Sequence, residues 1–318
     1  MTELQPDNTD AILGGENPPP INAGVLGGVA GAKQQIAKEW NLSDELVDRL
    51  SQTHDIFRFE TVTVDRFGEI ITRTTKQAFY YTEDLGDGVT LDMVYVPEGS
   101  LKITSLLYGD DYDDEKSEYF QRLVHIPAFY MSKYLVTQKQ YKVIRDIKQR
   151  KSADFQGSGE LPVTHISWLE GRNFCEKLNY KTGKKYKLPL ESQWEYACRA
   201  GTITHFHFGE AITTELANFN GYSNFGERSR GIFRASRTIV STFPANSFGL
   251  YDMHGNLQEW CEDDCQFHDN LRITADGCHV LRGGSWHSHI WRCTSGTRNF
   301  ARAYENSSTM GLRIINNT

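Results

Sequence analysis

The chain has 318 residues, enough for one large domain with a small appendage. Hydrophobic residues make up 39% and charged residues 24%, the composition of an ordinary globular protein. A net charge of −7 leaves no basic excess to neutralise phosphates, which argues against a general nucleic-acid binder, and no apolar run reaches the ~18–20 residues of a membrane span.

The first 35 residues are rich in Gly, Pro, Asn and Ala, and Pro18-Pro19-Pro20 forbids a helix there. They read as a flexible arm, with a docking peptide for a partner as the sharper alternative. The opening segment lacks the basic start and apolar stretch of a signal peptide, so the expected location is cytoplasmic. Residues 36–84 read as a small region of helices and strands. Ile36, Trp40, Leu46, Val47 and Leu50 are apolar positions of a helical stretch over 32–50, which Asn41 and Ser43 split in two. From Phe57 to Tyr81 the pattern becomes alternating, with Phe67-Gly68 as a hairpin turn and Glu83–Gly88 as a second turn. An acidic run from Asp110 to Glu118 is either a solvated loop or a holder for a hard cation.

Three helix starts follow. Thr137 with Gln140, and Ser167 with Glu170, have the spacing of capping boxes. A third helix is expected over Glu191–Ala200, with Trp194, Ala197 and Cys198 on one side and Gly201 as its stop. Beyond it the chain is Gly-, Asn- and aromatic-rich, which suggests short strands held by long loops. The six cysteines are too scattered for a disulfide framework, and Cys261 and Cys265 lack the second pair a structural zinc needs, so reduced thiols are expected.

Five segments carry a family resemblance. They are 129–138, 161–168, 187–201 (Lys-Leu-Pro-Leu-Glu-Ser-Gln-Trp-Glu-Tyr-Ala-Cys-Arg-Ala-Gly), 246–260 (Asn-Ser-Phe-Gly-Leu-Tyr-Asp-Met-His-Gly-Asn-Leu-Gln-Glu-Trp), and 281–286 (Leu-Arg-Gly-Gly-Ser-Trp) closing at Gly311-Leu312-Arg313. In that order they resemble the formylglycine-generating enzyme (sulfatase-modifying factor) family. The resemblance implies an α+β, loop-rich, C-type-lectin-like fold over roughly 85–318, preceded by the small helix and strand extension.

In the family's enzymes two cysteines bind copper and activate oxygen to oxidise a substrate cysteine. Those positions fall on Ser288 and Cys293 here. A hydroxyl is a poor ligand for soft Cu(I), so the copper chemistry is expected to be absent. The alternative is an altered oxidase site in which His287 or His289 supplies nitrogen. The iron-dependent sulfoxide synthases also resemble this domain, but only His54 lies in the first hundred residues, too few for their histidine site. The family's calcium loop maps onto Asp252, Gly255, Leu257 and Glu259, which implies a structural calcium ion bound by hard oxygen donors. For Glu259 the competing reading is a capped turn or a buried salt bridge. A second family calcium site would begin at Ala217-Asn218-Phe219, without an evident acidic partner around 230–233.

The segment before the terminal Gly-Leu-Arg mixes rings, histidines, arginines and small polar groups, like a paratope. It also resembles the variable proteins of diversity-generating retroelements. The expected ligand-binding set is His287, Ser288, His289, Trp291, Arg292, Thr294, Thr297, Phe300, Arg302 and Tyr304, within a surface at 287–309 that takes a protein or cell-surface ligand. The competing reading is that Trp291, Phe300 and Tyr304 are core. A third reading is a regulatory or sensor subunit that docks through its N-terminal region.

Overall fold

The computed structural model describes residues 26–107, 118–145, 159–222, 231–265 and 277–317. The first 25 residues of the arm and most of the acidic run lie outside them. Helix α1 covers Leu26–Trp40 and α2 covers Asp44–Thr53. The arm expected to reach residue 35 therefore gives way to helix at Leu26. Ala32 and Ile36 bury one side of that helix, which the glycine-rich composition of the segment conceals. Asn41 ends α1 in a left-handed conformation (φ 51°), and Ser43 caps α2 by accepting the Leu46 N–H.

Strands β1 (Asp55–Val64), β2 (Ile70–Gly86) and β3 (Val89–Val96) form an antiparallel meander. Asp65 closes the first hairpin by accepting from the Phe67 and Glu69 amides. The second turn is tighter than the Glu83–Gly88 span read from the sequence. Only Asp87 and Gly88 lie outside the strands, both left-handed (φ 54° and 70°), the two-residue geometry that Asp-Gly favours. After the ribbon of β4 (Gly99–Leu107) and β5 (Glu118–Ile126), β6 (Phe129–Ser132) rejoins the sheet. The sheet is completed by β7 (Tyr186–Lys187) and β12 (Ile315–Asn317), in the order β1-β2-β3-β6-β12-β7. Residues 55–86 are thus hydrogen-bonded into the sheet of the C-terminal part rather than standing apart from it.

Period-two alternation sorts the two faces of this sheet. Val94, Val96, Phe129 and Met131 pack with Trp194, Ala197 and Cys198 of α5 (Glu191–Arg199). Met93 lies on the opposite face with Tyr141 of α3 (Gln138–Arg145) and with Phe174 and Leu178 of α4 (Trp168–Thr182). Ile36, Val47 and Leu50 of the first two helices cover Phe79 and Tyr95. Both capping boxes form: Thr137 accepts from the Gln140 amide while Gln140 reaches back to the Thr137 N–H, and Ser167 and Glu170 do the same. The third helix stops at Ala200, left-handed at φ 44°, one residue before the glycine.

From Ala200 to Leu257 the described chain contains only turns and isolated bridges. It ends in a second sheet, β10-β9-β8-β11, built from β8 (Gln258–Asp264), β9 (Cys278–Arg282), β10 (Asn299–Arg302) and β11 (Met310–Gly311). Buried indoles lock this sheet to the helices: Trp168 donates to the Cys261 carbonyl and Trp260 to the Ile166 carbonyl. No helix among the described residues is long and apolar enough to cross a membrane.

Candidate functional site: a pinned loop and its exposed tips

Strand β9 delivers Arg282, whose side chain is fully buried. Its guanidinium donates to the carbonyls of Ser295 (2.9 Å), Gly296 (2.9 Å) and Thr297 (2.7 Å), and to the Glu195 carboxylate on α5. A planar five-donor fork is suited to gathering several carbonyls at once. The loop after β9 is therefore held from beneath by an ion-paired arginine. Gly284 follows in the left-handed region (φ 72°), and a Cβ there would meet the Cys293 sulfur at 2.5 Å and the Arg292 carbonyl at 2.7 Å. Only glycine allows that close approach.

At the turn, Ser288 Oγ accepts from the Ser285 amide (2.9 Å) and lies 3.0 Å from Ser285 Oγ. Cys293 is buried, with its thiol 3.8 Å from the His289 carbonyl, and burial pushes that thiol up to about 12. The side chains of His287 and His289 face solvent. With Ser288 as a hydroxyl that already accepts from the backbone, Cys293 supplies a single thiolate where soft Cu(I) takes two. The donor set does not fit copper.

The short 3-10 turn Ile290–Cys293 splits its residues cleanly. Ile290 and Cys293 join a buried cluster with Phe206, Phe208, Ala217 and Phe219. Trp291, at 52% exposure, and Arg292 face outward, and Arg292 donates to the Asn299 side chain (2.7 Å). Thr294 and Thr297 are half-buried and bond to each other (2.7 Å), and Thr297 also donates to the Trp291 carbonyl (2.8 Å). Phe300 is half-buried against the core cluster of α5 and the large sheet. Arg302, on the edge strand β10, donates to the hydroxyl of Tyr304, which is 61% exposed.

Sequence reading overlooked one cluster. His287 and Trp286 form a ring group with Phe233 and Tyr222, at centroid distances of 5.3 Å for Trp286–His287, 6.1 Å for Phe233–His287 and 5.4 Å for Tyr222–Phe233. Tyr222 is 61% exposed. These rings come from a loop more than fifty positions upstream, so no local spacing could have joined them to His287.

Beneath the loop lies a second polar centre. Asp252, Gly255 and Asn256 all adopt positive φ (57°, 78° and 61°). A Cβ on Gly255 would sit 2.2 Å from the Asn218 carbonyl. Asp252 is buried; its carboxylate accepts from the Ser241 amide and the Asn256 side chain. Burial pushes its pKa up to about 6, and the charge of Glu259 pushes the same way. Glu259 is fully buried and takes Trp194 Nε1 (2.7 Å) and Arg313 Nε (2.9 Å) on one oxygen, and Arg313 Nη2 (3.1 Å) on the other. The buried salt bridge expected as the competing role of Glu259 is thus present. Asn218 Oδ1, beside the same turn, is buried without a hydrogen-bond partner. Two buried carboxylates facing one guanidinium leave negative charge over, and hard oxygen donors remain on Asp252. Asp252 offers the hard oxygen donors that a calcium ion would use here, whereas both oxygens of Glu259 are already taken by Trp194 and Arg313.

Residues 85–318 match the sulfatase-modifying factor enzyme 1-like domain. The chain belongs to that family. Among its relatives, the serine/threonine-protein kinase pkn1 of Chlamydia pneumoniae is 33% identical over 174 residues, 51% of this chain but 25% of that kinase. The chain thus spans about a quarter of the length of the pkn1 kinases it matches. The inactive C-alpha-formylglycine-generating enzyme 2 of Bos taurus is 25% identical over 253 residues, which cover 64% of this chain and 79% of that protein. The solved structure of Treponema denticola variable protein 1 superimposes with a TM-score of 0.56 at 22% identity, covering 75% of this chain and 99% of that one. The two share the C-type-lectin-like fold of the sulfatase-modifying family.

Proposed function

We propose that this sulfatase-modifying-factor domain is a non-catalytic ligand-binding scaffold that displays side chains of the 287–309 segment to a protein or cell-surface ligand. The observation that carries the reading is the division within one loop. Ser288 is tied to Ser285 and Cys293 is sealed beneath, whereas Trp291, Arg292, Arg302 and Tyr304 stand outward from a backbone held by Arg282. Aromatic and arginine side chains on a rigid base supply contact area at low entropic cost. The Tyr222–Phe233–Trp286–His287 ring group adds further rings around His287. The similarity to a relative named as an inactive formylglycine-generating enzyme, and the fold shared with a variable protein, support the reading.

Asp252 and Glu259, with the carbonyls of Gly255 and Leu257, would hold a calcium ion under this face. A bound ion would offset the buried negative charge and stiffen the turn. It supplies no chemistry to a reaction in this reading.

Two experiments decide between display and an altered oxidase. Arrays of surface proteins and glycans are probed with the native chain and with the Trp291→Ala/Tyr304→Ala variant, whose melting is checked in parallel. Selective capture by the native chain alone supports display; equal capture by both removes it. Copper(I) titration under reducing conditions is the complement, and one tightly held equivalent that disappears in Cys293→Ser would establish the oxidase instead. Sequencing the gene across a population tests the diversified form of the proposal. Substitutions concentrated in codons 287–309 support it, and an invariant segment removes it.

A further inference from the structure

Cys265 and Cys278 face each other across the open end of the β8–β9 pair. The register sets Asp264 opposite His279, and the Cys265 amide donates to the Cys278 carbonyl at 3.0 Å. Directly paired residues of an antiparallel ladder have Cα atoms roughly 5.5 Å apart when hydrogen-bonded, inside the ~4.4–6.8 Å window that a disulfide spans. Both cysteines are free, Cys265 is partly exposed, and the other four cysteines are buried.

We infer that Cys265 and Cys278 form a reversible cross-strand disulfide, made by thiol–disulfide exchange with a small-molecule disulfide such as oxidised glutathione. Cys265 is the attacking group, because it is the accessible one, while burial pushes the Cys278 thiol up. Its thiolate sulfur bonds to one sulfur of oxidised glutathione and expels the other half as glutathione thiolate. The Cys278 thiol loses its proton, its sulfur attacks the Cys265 sulfur of the mixed disulfide, and the second glutathione leaves. Two protein thiols are oxidised by two electrons, and one oxidised glutathione becomes two reduced molecules.

The position gives the bond a consequence. Cys278 is paired with Arg302 in the β9–β10 register, and the Ala303 amide donates to the Gly277 carbonyl (2.6 Å). Closing the disulfide fixes the end of β9 from the side opposite to the strand that carries Arg302. It also closes a loop in the unfolded chain, which stabilises the fold.

The test uses the full reduced chain, incubated with oxidised glutathione, quenched by alkylation and mapped by peptide mass spectrometry. The expected product is one link, Cys265 to Cys278, with no retained glutathione, reversed by dithiothreitol. Its melting temperature should rise by a few degrees over the reduced chain. In Cys278→Ser the mixed disulfide on Cys265 cannot resolve, so a glutathione adduct persists there; in Cys265→Ser neither adduct nor link forms. A stable adduct on Cys265 in the native chain, a link to any other cysteine, or full alkylation of both thiols after incubation overturns the inference.

Discussion

Arg282 and Trp291 belong to one continuous segment, yet the first is completely buried and the second is 52% exposed. The largest buried groups in the segment reach elements distant in sequence, Arg282 to Glu195 and Ile290 and Cys293 to Phe206 and Phe208. Arg282 holds Glu195 on α5 and the carbonyls of Ser295, Gly296 and Thr297, and Cys293 sits against the close approach that Gly284 permits. Two of the exposed groups are tied to near neighbours, Arg292 to Asn299 and Arg302 to Tyr304. Such a segment can keep its backbone while its tips change, because the energy that fixes the backbone lies beneath the surface that makes contact.

The largest break in this comparison comes from the buried side. Arg282→Met removes donors from three loop carbonyls and leaves the Glu195 and Glu191 carboxylates short of a cation. Arg199 and Arg298 still neutralise part of that charge. Losing one partner of a buried ionic network costs about 3–5 kcal/mol, and these remaining arginines place the expected loss near the lower end. Urea denaturation reads it directly; a loss under about 1 kcal/mol would show that the loop is not held by this residue.

Calcium and pH sharpen the frame next. Asp252 has a folded pKa of about 6 against an ordinary value of 3.8. An acid raised on folding contributes stability that is present below the unfolded value and lost as pH rises through the folded one. In chelator the melting temperature should therefore fall between about pH 4 and pH 6, as far as this group is concerned. Calcium binds the ionised form, so added calcium should raise the melting temperature at pH 7 by a few degrees and do much less at pH 5. Asp252→Asn should abolish both the calcium response and this pH dependence. A calcium response unchanged in that variant would place the ion elsewhere.

Much of the frame was legible in the sequence because it rests on local rules. The two capping boxes, the Phe67-Gly68 turn and the split of the first helical stretch at Asn41–Ser43 follow from side chains bonding to nearby backbone. The ordered motifs gave the fold through family resemblance. What stayed hidden depends on contacts between distant segments. Nothing near His287 in the sequence announces Phe233. The start of α1 is hidden because its three glycines suggest a loop, while the burial of Ile36 against the sheet favours helix.

Thr297 lies between frame and tip, and so does its expected effect. Thr297→Val keeps the shape and removes the bonds to Thr294 and to the Trp291 carbonyl. The expected destabilisation is about 1 kcal/mol, the worth of a typical hydrogen bond, with amide exchange in the 290–294 turn accelerated more than elsewhere. Uniform acceleration across the domain would mean that this threonine supports the global fold and not the turn.

The smallest expected effect on stability belongs to the tips, and it is the most discriminating. Trp291→Ala deletes a ring from a residue that is half exposed, on a turn whose inward positions, Ile290 and Cys293, remain packed. Tyr304→Ala removes a hydroxyl that accepts from exposed Arg302. Surface substitutions of this kind shift stability by roughly 0.5 kcal/mol or less, so melting curves should nearly superimpose on the native one. Capture on the arrays should nevertheless collapse, because truncating an aromatic contact typically costs a binding surface about 2 kcal/mol or more, some thirty-fold or greater in affinity. If either variant melts much lower than the native chain, its ring is part of the frame. The boundary between pinned base and outward tip would then have to move past that residue.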